Sequence, residues 1–324
     1  MESVVNTAIE VYGAYNNNAE TLCSSSSGGV VYELCKNTLK KGGVVCAAKY
    51  DYSTCLLKHN LIFDIDDLEQ IKGSKYFQSD VSNIYKDIEM ILKKGLQKIL
   101  FIGTPCQCAG LKNYLCVKEV SIDNMAFVDI ICHGVGSNEI WLNCVNLIEK
   151  KANTKITKIS FKDKRRGWLL PYAVAWGQDG QEYELTDYMT LYNKNLIMRD
   201  ECYHCKFANT SRSGDITVGD FWNIKNIDEN FYNENGVSCV FINSEKGKCI
   251  FNQVKNCFNL ISVEIFDCNQ PNLQEPTKRN PNTDAFWSDY QKKGFEYVCN
   301  KYASRDTMSR IKRHFLVKLG IWKV

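Results

Sequence analysis

No segment of this 324-residue chain approaches the roughly 20 consecutive apolar residues that a bilayer-spanning helix requires. Charge of one sign is lacking too. The 40 lysines and arginines face 37 aspartates and glutamates, a balance that argues against wholesale nucleic-acid binding. Met1–Ala14 has neither a basic start nor a long apolar core, so no secretory signal is read there and a cytoplasmic location is expected. Prolines number only five, and most of them cluster with asparagines between residues 270 and 283, which reads as a linker. No internal repeat is visible, and no low-complexity stretch beyond the serine run at residues 24–27. Cysteine, by contrast, is abundant at 16 residues. In a reducing compartment metal binding outranks disulfides as their use.

Four of these cysteines stand out: Cys106 in GTPCQ, Cys132 in CHGVGS, and Cys202 with Cys205 in CYHC. One CxxC and two separated thiols are what an iron–sulfur cluster or a structural zinc requires, since soft thiolates select both. Lys98–Ile102 (KILFI) and Ala126–Ile131 (AFVDII) are short apolar runs bounded by Gly and Pro, expected as strands buried on both faces of a parallel sheet. The intervening QCAGLKNYL is helical in character, so the unit reads strand–helix–strand with parallel strands. Cys106 and Cys132 then share the carboxyl edge, where open α/β sheets bind ligands. The CxxC lets two thiolates of one loop hold one metal centre. A thioredoxin-like redox pair is the weaker reading, because the motif sits among polar residues with Arg212 and Ser213 close behind. Cys108 is the substitute ligand should Cys106 not serve, and the other cysteines read mostly as small buried hydrophobes.

Elsewhere, the Ser24–Gly29 run opens a helix over about residues 30–40, and its free backbone N–H groups suit a phosphate. A strand (VVCAAKY), a polar loop (KGSKYFQSD, Lys72–Asp80) and a helix over Ile84–Lys94 stopped by Gly95 follow. Residues 155–190 alternate in strand fashion, with a hairpin expected around residues 178–181. Their DKRRGW segment suits an anionic, planar ligand, arginine matching phosphate and indole matching a ring. A strand in DITVGDFWNI and a strand–turn–helix in GVSCVFINSEKGKCIFNQV come next, then a closing helical segment from about Asp284. The basic tail SRIKRHFLVKLGIWKV is read as a last helix packed on its own domain.

Taken in order, SSSSGGV, KGSKYFQSD, GTPCQCAGLKNYL, DIICHGVGS, FKDKRRGW, CYHCKFANTSRSGDITVGDFW and GVSCVFINSEKG resemble the coenzyme F420 hydrogenase/dehydrogenase beta subunit family over Val11 to Gly247. The resemblance implies an α/β fold with a mixed sheet, binding FAD and one 4Fe-4S cluster. It implies a domain at residues 1–268, followed by a linker and helical extension at 269–324. By the family pattern the cluster ligands fall on Cys106, Cys132, Cys202 and Cys205. The flavin contacts fall on Ser26, Ser27, Gly28, Gly29, Ser74, Lys75, Tyr76, Gln78, Ser79, Thr104 and Pro105. His133, Lys164 and Arg165 or Arg166 are the residues placed to tune potential or donate a proton.

Four departures accompany the resemblance. The chain is expected to lack the family's N-terminal ferredoxin-like module, so electrons would come from or go to a separate ferredoxin-like protein. Gly136 replaces a usual Pro and Asn223 a usual Gly, and the usual Arg before the serine run is missing. The expected function is a flavin-dependent iron–sulfur oxidoreductase acting on a small-molecule or deazaflavin (F420-like) substrate. The alternative is a non-catalytic assembly or interaction module of the same fold, serving a surface-polysaccharide pathway. A structural zinc in a nucleic-acid or protein-binding domain fits the balanced charge less well.

Overall fold

The computed structural model describes residues 8–95, 97–169 and 172–303. In the first half lie β1 (Glu10–Asn16), α1 (Ala19–Ser24), α2 (Val30–Lys40), β2 (Val44–Asp51), β3 (Leu56–Ile62), β4 (Ser79–Asp80) and α3 (Ile84–Lys94). The predicted parallel unit follows as β5 (Ile99–Gly103), α4 (Pro105–Val117) and β6 (Met125–Ile130). Then come α5 (Asn138–Ala152), β7 (Ile156–Asp163), β8 (Tyr172–Gly177), β9 (Glu182–Glu184) and α6 (Thr186–Asn193). The remainder comprises β10 (Ile216–Asp220), α7 (Ile224–Ile227), β11 (Ser238–Ile242), α8 (Glu245–Asn252), β12 (Phe258–Ser262), α9 (Thr283–Lys293) and α10 (Phe295–Val298).

Nine strands form one mixed sheet in the order β12-β1-β11-β10-β6-β5-β2-β3-β4. Its centre is parallel, β2 beside β5, β5 beside β6, and β6 beside β10, as expected of runs apolar on both faces. Alternate residues of β2 serve opposite faces. Val45 joins Leu34, Leu100 and Val240 on one side, while Val44 joins Phe101, Leu111 and Phe127 on the other. The first strand of the chain closes the sheet from its far end, pairing antiparallel with both β11 and β12.

β7, β8 and β9 make a separate antiparallel sheet, and the predicted hairpin joins β8 to β9, with Gly177 N–H donating to Gln181 O at 3.1 Å. This sheet packs with α5, α6, α9 and α10 around Trp141, Phe161, Tyr188, Leu191 and Phe286. Residues from beyond position 268 share that core. Phe286, Phe295 and Val298 are buried in it, and Gln270 and Asn272 of the proline-rich segment are buried as well. That segment forms no strand or α-helix before Thr283, only a 3-10 turn at Pro271–Leu273, but this does not exclude burial once each polar group finds a partner. The helical segment begins where expected, and the basic tail lies outside the described residues. Among the described residues no helix is long and apolar enough to cross a membrane.

Candidate cluster and cofactor site

Cys106 sits in the first turn of α4, directly beyond β5, where the helix dipole favours negative charge. Cys132 follows β6, so the two thiols share the carboxyl edge of neighbouring parallel strands. The CxxC reaches them by a second route. Gly136 pairs with Met198 in an isolated antiparallel bridge, Ser137 N–H donates to Ile197 O at 2.8 Å, and Arg199 N–H donates to Val135 O at 3.1 Å. This pairing lays the turn Asp200–His204 against the loop after Cys132. A Cβ on Gly134, whose φ is +109°, would stand 3.7 Å from the Cys202 sulfur.

Burial pushes the Cys132 thiol up to about 12, and the negative charge of Cys106, Cys202 and Cys205 adds to the rise. Cys202 is raised by burial and, less, by Cys106 and Cys205. Cys132 thus feels the other three thiols, and Cys202 feels Cys106 and Cys205. Among the described residues no group of three or more His, Cys, Asp or Glu side chains is arranged for a single metal ion. Four converging thiols are nonetheless the donor chemistry that a cubane cluster takes. Cys108 is a different case. It is fully buried in the core beneath α4, its sulfur turned toward Val128 O at 3.9 Å.

Beyond Cys205 the chain is clamped to β6. Arg212 meets Asp129 at 3.4 Å with both side chains buried, and Asp129 also accepts from Ser213 N–H, Gly214 N–H (3.0 Å each) and Thr217 Oγ1 (2.5 Å). The signal for Asp129 was present in AFVDII, where one carboxylate interrupts an apolar run.

Cys132 lines a cleft of about 1930 Å³, well above the 300–1,000 Å³ of an ordinary small-molecule pocket. Of the expected flavin contacts, Ser26, Ser27 and Gly29 line one part of it, and Ser74, Lys75, Tyr76, Ser79 and Thr104 another. Three do not line it. Gly28 is pressed against β1 and β11, its N–H donating to Ser238 Oγ at 2.9 Å, and a Cβ there would lie 2.0 Å from Ala14 O. Gln78 is engaged by Arg199, and Pro105 is buried as the opening residue of α4. Lys75 turns its ammonium to the carbonyls of Ile71, Lys72 and Gly73, and burial pulls its pKa down to about 8.

His133 and Arg166 line the cleft. Burial lowers the His133 pKa, and its Nε2 lies 3.3 Å from Gln270 Oε1. Arg166 lies over the Tyr172 ring at 3.8 Å. Lys164, expected beside the flavin, is absent from the cleft wall. Its ammonium donates to the carbonyls of Leu22 (2.8 Å), Ser27 (3.2 Å) and Asn235, so it braces the serine run. Arg165 pairs with Asp163 and Glu182 on the exposed side of the second sheet.

Sequence reasoning missed three features of the cleft. Lys162 forms an ion pair with Asp220 inside it; burial opposes the lysine charge, but Asp220 outweighs that and raises the pKa. The proline-rich segment roofs it, Gln270 donating to Asp220 O at 2.6 Å and Thr277 to His133 O at 2.6 Å. Trp168 Nε1 and Thr190 Oγ1, both buried in residues of its wall, have no hydrogen-bond partner among the described residues. Such orphaned groups are atoms that a bound ligand satisfies.

Comparison with known proteins bears on this arrangement. The profile for the C terminus of the coenzyme F420 hydrogenase/dehydrogenase beta subunit matches residues 96–264, and that for its N-terminal part matches residues 11–86. The expectation that an N-terminal module is lacking is therefore not borne out. No curated protein sequence matches the chain. Among solved structures, a chain from xenon-derivatised crystals of the F420-reducing [NiFe] hydrogenase complex of Methanosarcina barkeri is similar in fold. It is 15% identical with a TM-score of 0.56, and the match covers 93% of each chain. The two family profiles together span most of the fold and all four cysteines, and the chain belongs to the coenzyme F420 hydrogenase/dehydrogenase beta subunit family of oxidoreductases.

Proposed function

We propose that the protein is a flavin-dependent iron–sulfur oxidoreductase, passing electrons between a 4Fe-4S cluster, FAD and a small-molecule or F420-like deazaflavin substrate. The observation that carries this reading is the backbone arrangement that gathers Cys106, Cys132, Cys202 and Cys205 beyond one sheet edge, with Cys132 at the wall of a cleft large enough for a dinucleotide and a second ligand. When bound, a flavin supplies hydride exchange with substrate and single-electron exchange with the cluster.

The chain's own residues bind, orient and enclose. Ser26, Ser27 and Gly29 lead into the N-terminus of α2, whose cap makes no side-chain hydrogen bond, and hold the pyrophosphate. Lys72, paired with Glu69, and Lys75, bound to the carbonyls of its own loop, shape that side of the cleft. Trp168 Nε1 and Thr190 Oγ1 donate to polar atoms of the ligands. Gln270 and Thr277 hold the roof down on His133 and Asp220 and so exclude water. Cys106 is exposed, as is neighbouring Ile130, so a ferredoxin-like donor or acceptor can approach the cluster from outside.

The test is an absorption spectrum with iron and sulfide assay on protein purified without oxygen. Flavin bands, cluster absorption bleached by dithionite and about four iron per chain are expected. Cys106→Ser loses that iron, whereas Cys108→Ala retains it. A cluster without flavin favours the assembly-module reading, and one zinc in place of iron refutes the redox proposal.

A further inference from the structure

Four polar side chains that line the cleft form one hydrogen-bond network, which runs from Ile102 O to the Thr104 backbone and so fixes the residue whose hydroxyl stands against a candidate cluster ligand. Ile102 O can only accept, so His59 Nε2, 3.0 Å away, carries the proton. Nδ1 is then bare and accepts from Ser79 Oγ at 3.0 Å. With that hydroxyl proton committed, Gln107 Nε2 donates to Ser79 Oγ at 2.9 Å. The amide is thereby oriented, and its oxygen accepts the Thr104 N–H at 3.0 Å. Thr104 Oγ1 in turn stands 3.0 Å from the Cys106 sulfur.

The surroundings support this one arrangement. His59 and Ser79 are each 6% exposed, and the imidazole stacks on Phe101 at 5.2 Å and 15°. A Cβ on Gly103 would lie 3.1 Å from Gln107 Oε1 and 2.9 Å from the Phe101 ring, so the glycine leaves the amide its place. Burial also pulls the His59 pKa down to about 4, which keeps the ring neutral and its tautomer fixed.

Resting on the cluster reading above, we propose that Thr104 is a positioning residue whose hydroxyl donates to the Cys106 thiolate, and that His59, Ser79 and Gln107 hold it in place. A metal-bound thiolate carries no proton, so the hydroxyl must be the donor. A hydrogen bond to a ligand sulfur stabilises the more negative, reduced cluster and raises its potential. Ser79 and Thr104 thus act on the cluster, beyond the flavin contact that the family resemblance implies for them.

Two measurements test this on the full chain. Potentiometric titration of the anaerobically loaded protein is expected to show a lower midpoint potential for Thr104→Val at unchanged iron content. Thr104→Ser restores the potential, and Ser79→Ala lowers it by a smaller step. Nitrogen-15 NMR of the protein before iron loading is expected to show neutral His59 protonated at Nε2, a signature that Ser79→Ala perturbs. Full iron with an unchanged potential in Thr104→Val overturns the proposal. Should that variant fail to fold, an unchanged potential in Ser79→Ala overturns it instead. A proton on His59 Nδ1 overturns the network whatever the iron content. Wild-type protein that takes up no iron refutes the cluster reading, and the cluster half of this proposal with it.

Discussion

His59 carries a stability cost that depends on acidity. Its folded pKa of about 4 lies below the ordinary 6.5, so between those values the unfolded chain binds the extra proton. Stability is full above pH 6.5 and falls as pH drops toward 4, by on the order of 3 kcal/mol for this residue alone. His59→Gln, which can keep both hydrogen bonds, is expected to flatten that limb in urea unfolding at pH 7 and pH 4.5. An equal loss in the variant would assign the acid limb to other groups. Nothing in HNLIF marks His59 as buried in a polar chain, because its partners come from residues 79 and 102. Gly136, by contrast, was legible as a departure from the family pattern. Its N–H donates to Tyr76 O at 3.1 Å, a bond that the usual proline cannot make.

At the scale of elements, the CxxC segment is held by two attachments, the bridge to residues 135–137 and the Arg212–Asp129 clamp. Asp129→Asn leaves a buried guanidinium without its counter-charge, and a loss of about 3–5 kcal/mol is expected. Thermal melting and iron content should fall together; a variant that melts like wild type with full iron would remove the clamp from the site's support. The parallel pair β5 and β6 could be read from the sequence because apolar runs ending at Gly and Pro leave a local signature. The CxxC attachment could not, since a one-residue bridge has no periodicity and a clamp between residues 129 and 212 has no spacing rule. The KRR segment shows the same limit. Its composition suggested a ligand clamp, yet Lys164 braces backbone carbonyls and Arg165 faces outward, with only Arg166 on the cleft.

For the molecule as a whole, the roof and the closing helices are part of the body. Truncation after residue 268 removes Gln270 and Thr277 from the cleft and Phe286, Phe295 and Val298 from the core around Trp141 and Tyr188. The truncated chain is expected to lose cooperative unfolding and flavin retention, measured by thermal denaturation and bound flavin; a cooperative, flavin-retaining fragment would support the two-part division. The placement of β1 between β11 and β12 also governs the order of events during synthesis. Ser27 and Gly28 rest on Val237 and Ser238, so the serine–glycine run cannot take up its final packing until the segment 210 residues later has been made. Such long-range pairing folds slowly. The edge that carries Cys106 and Cys132 is therefore completed only once β10 and β11 have been made, and any metal held by these thiols would enter a sheet that closes late.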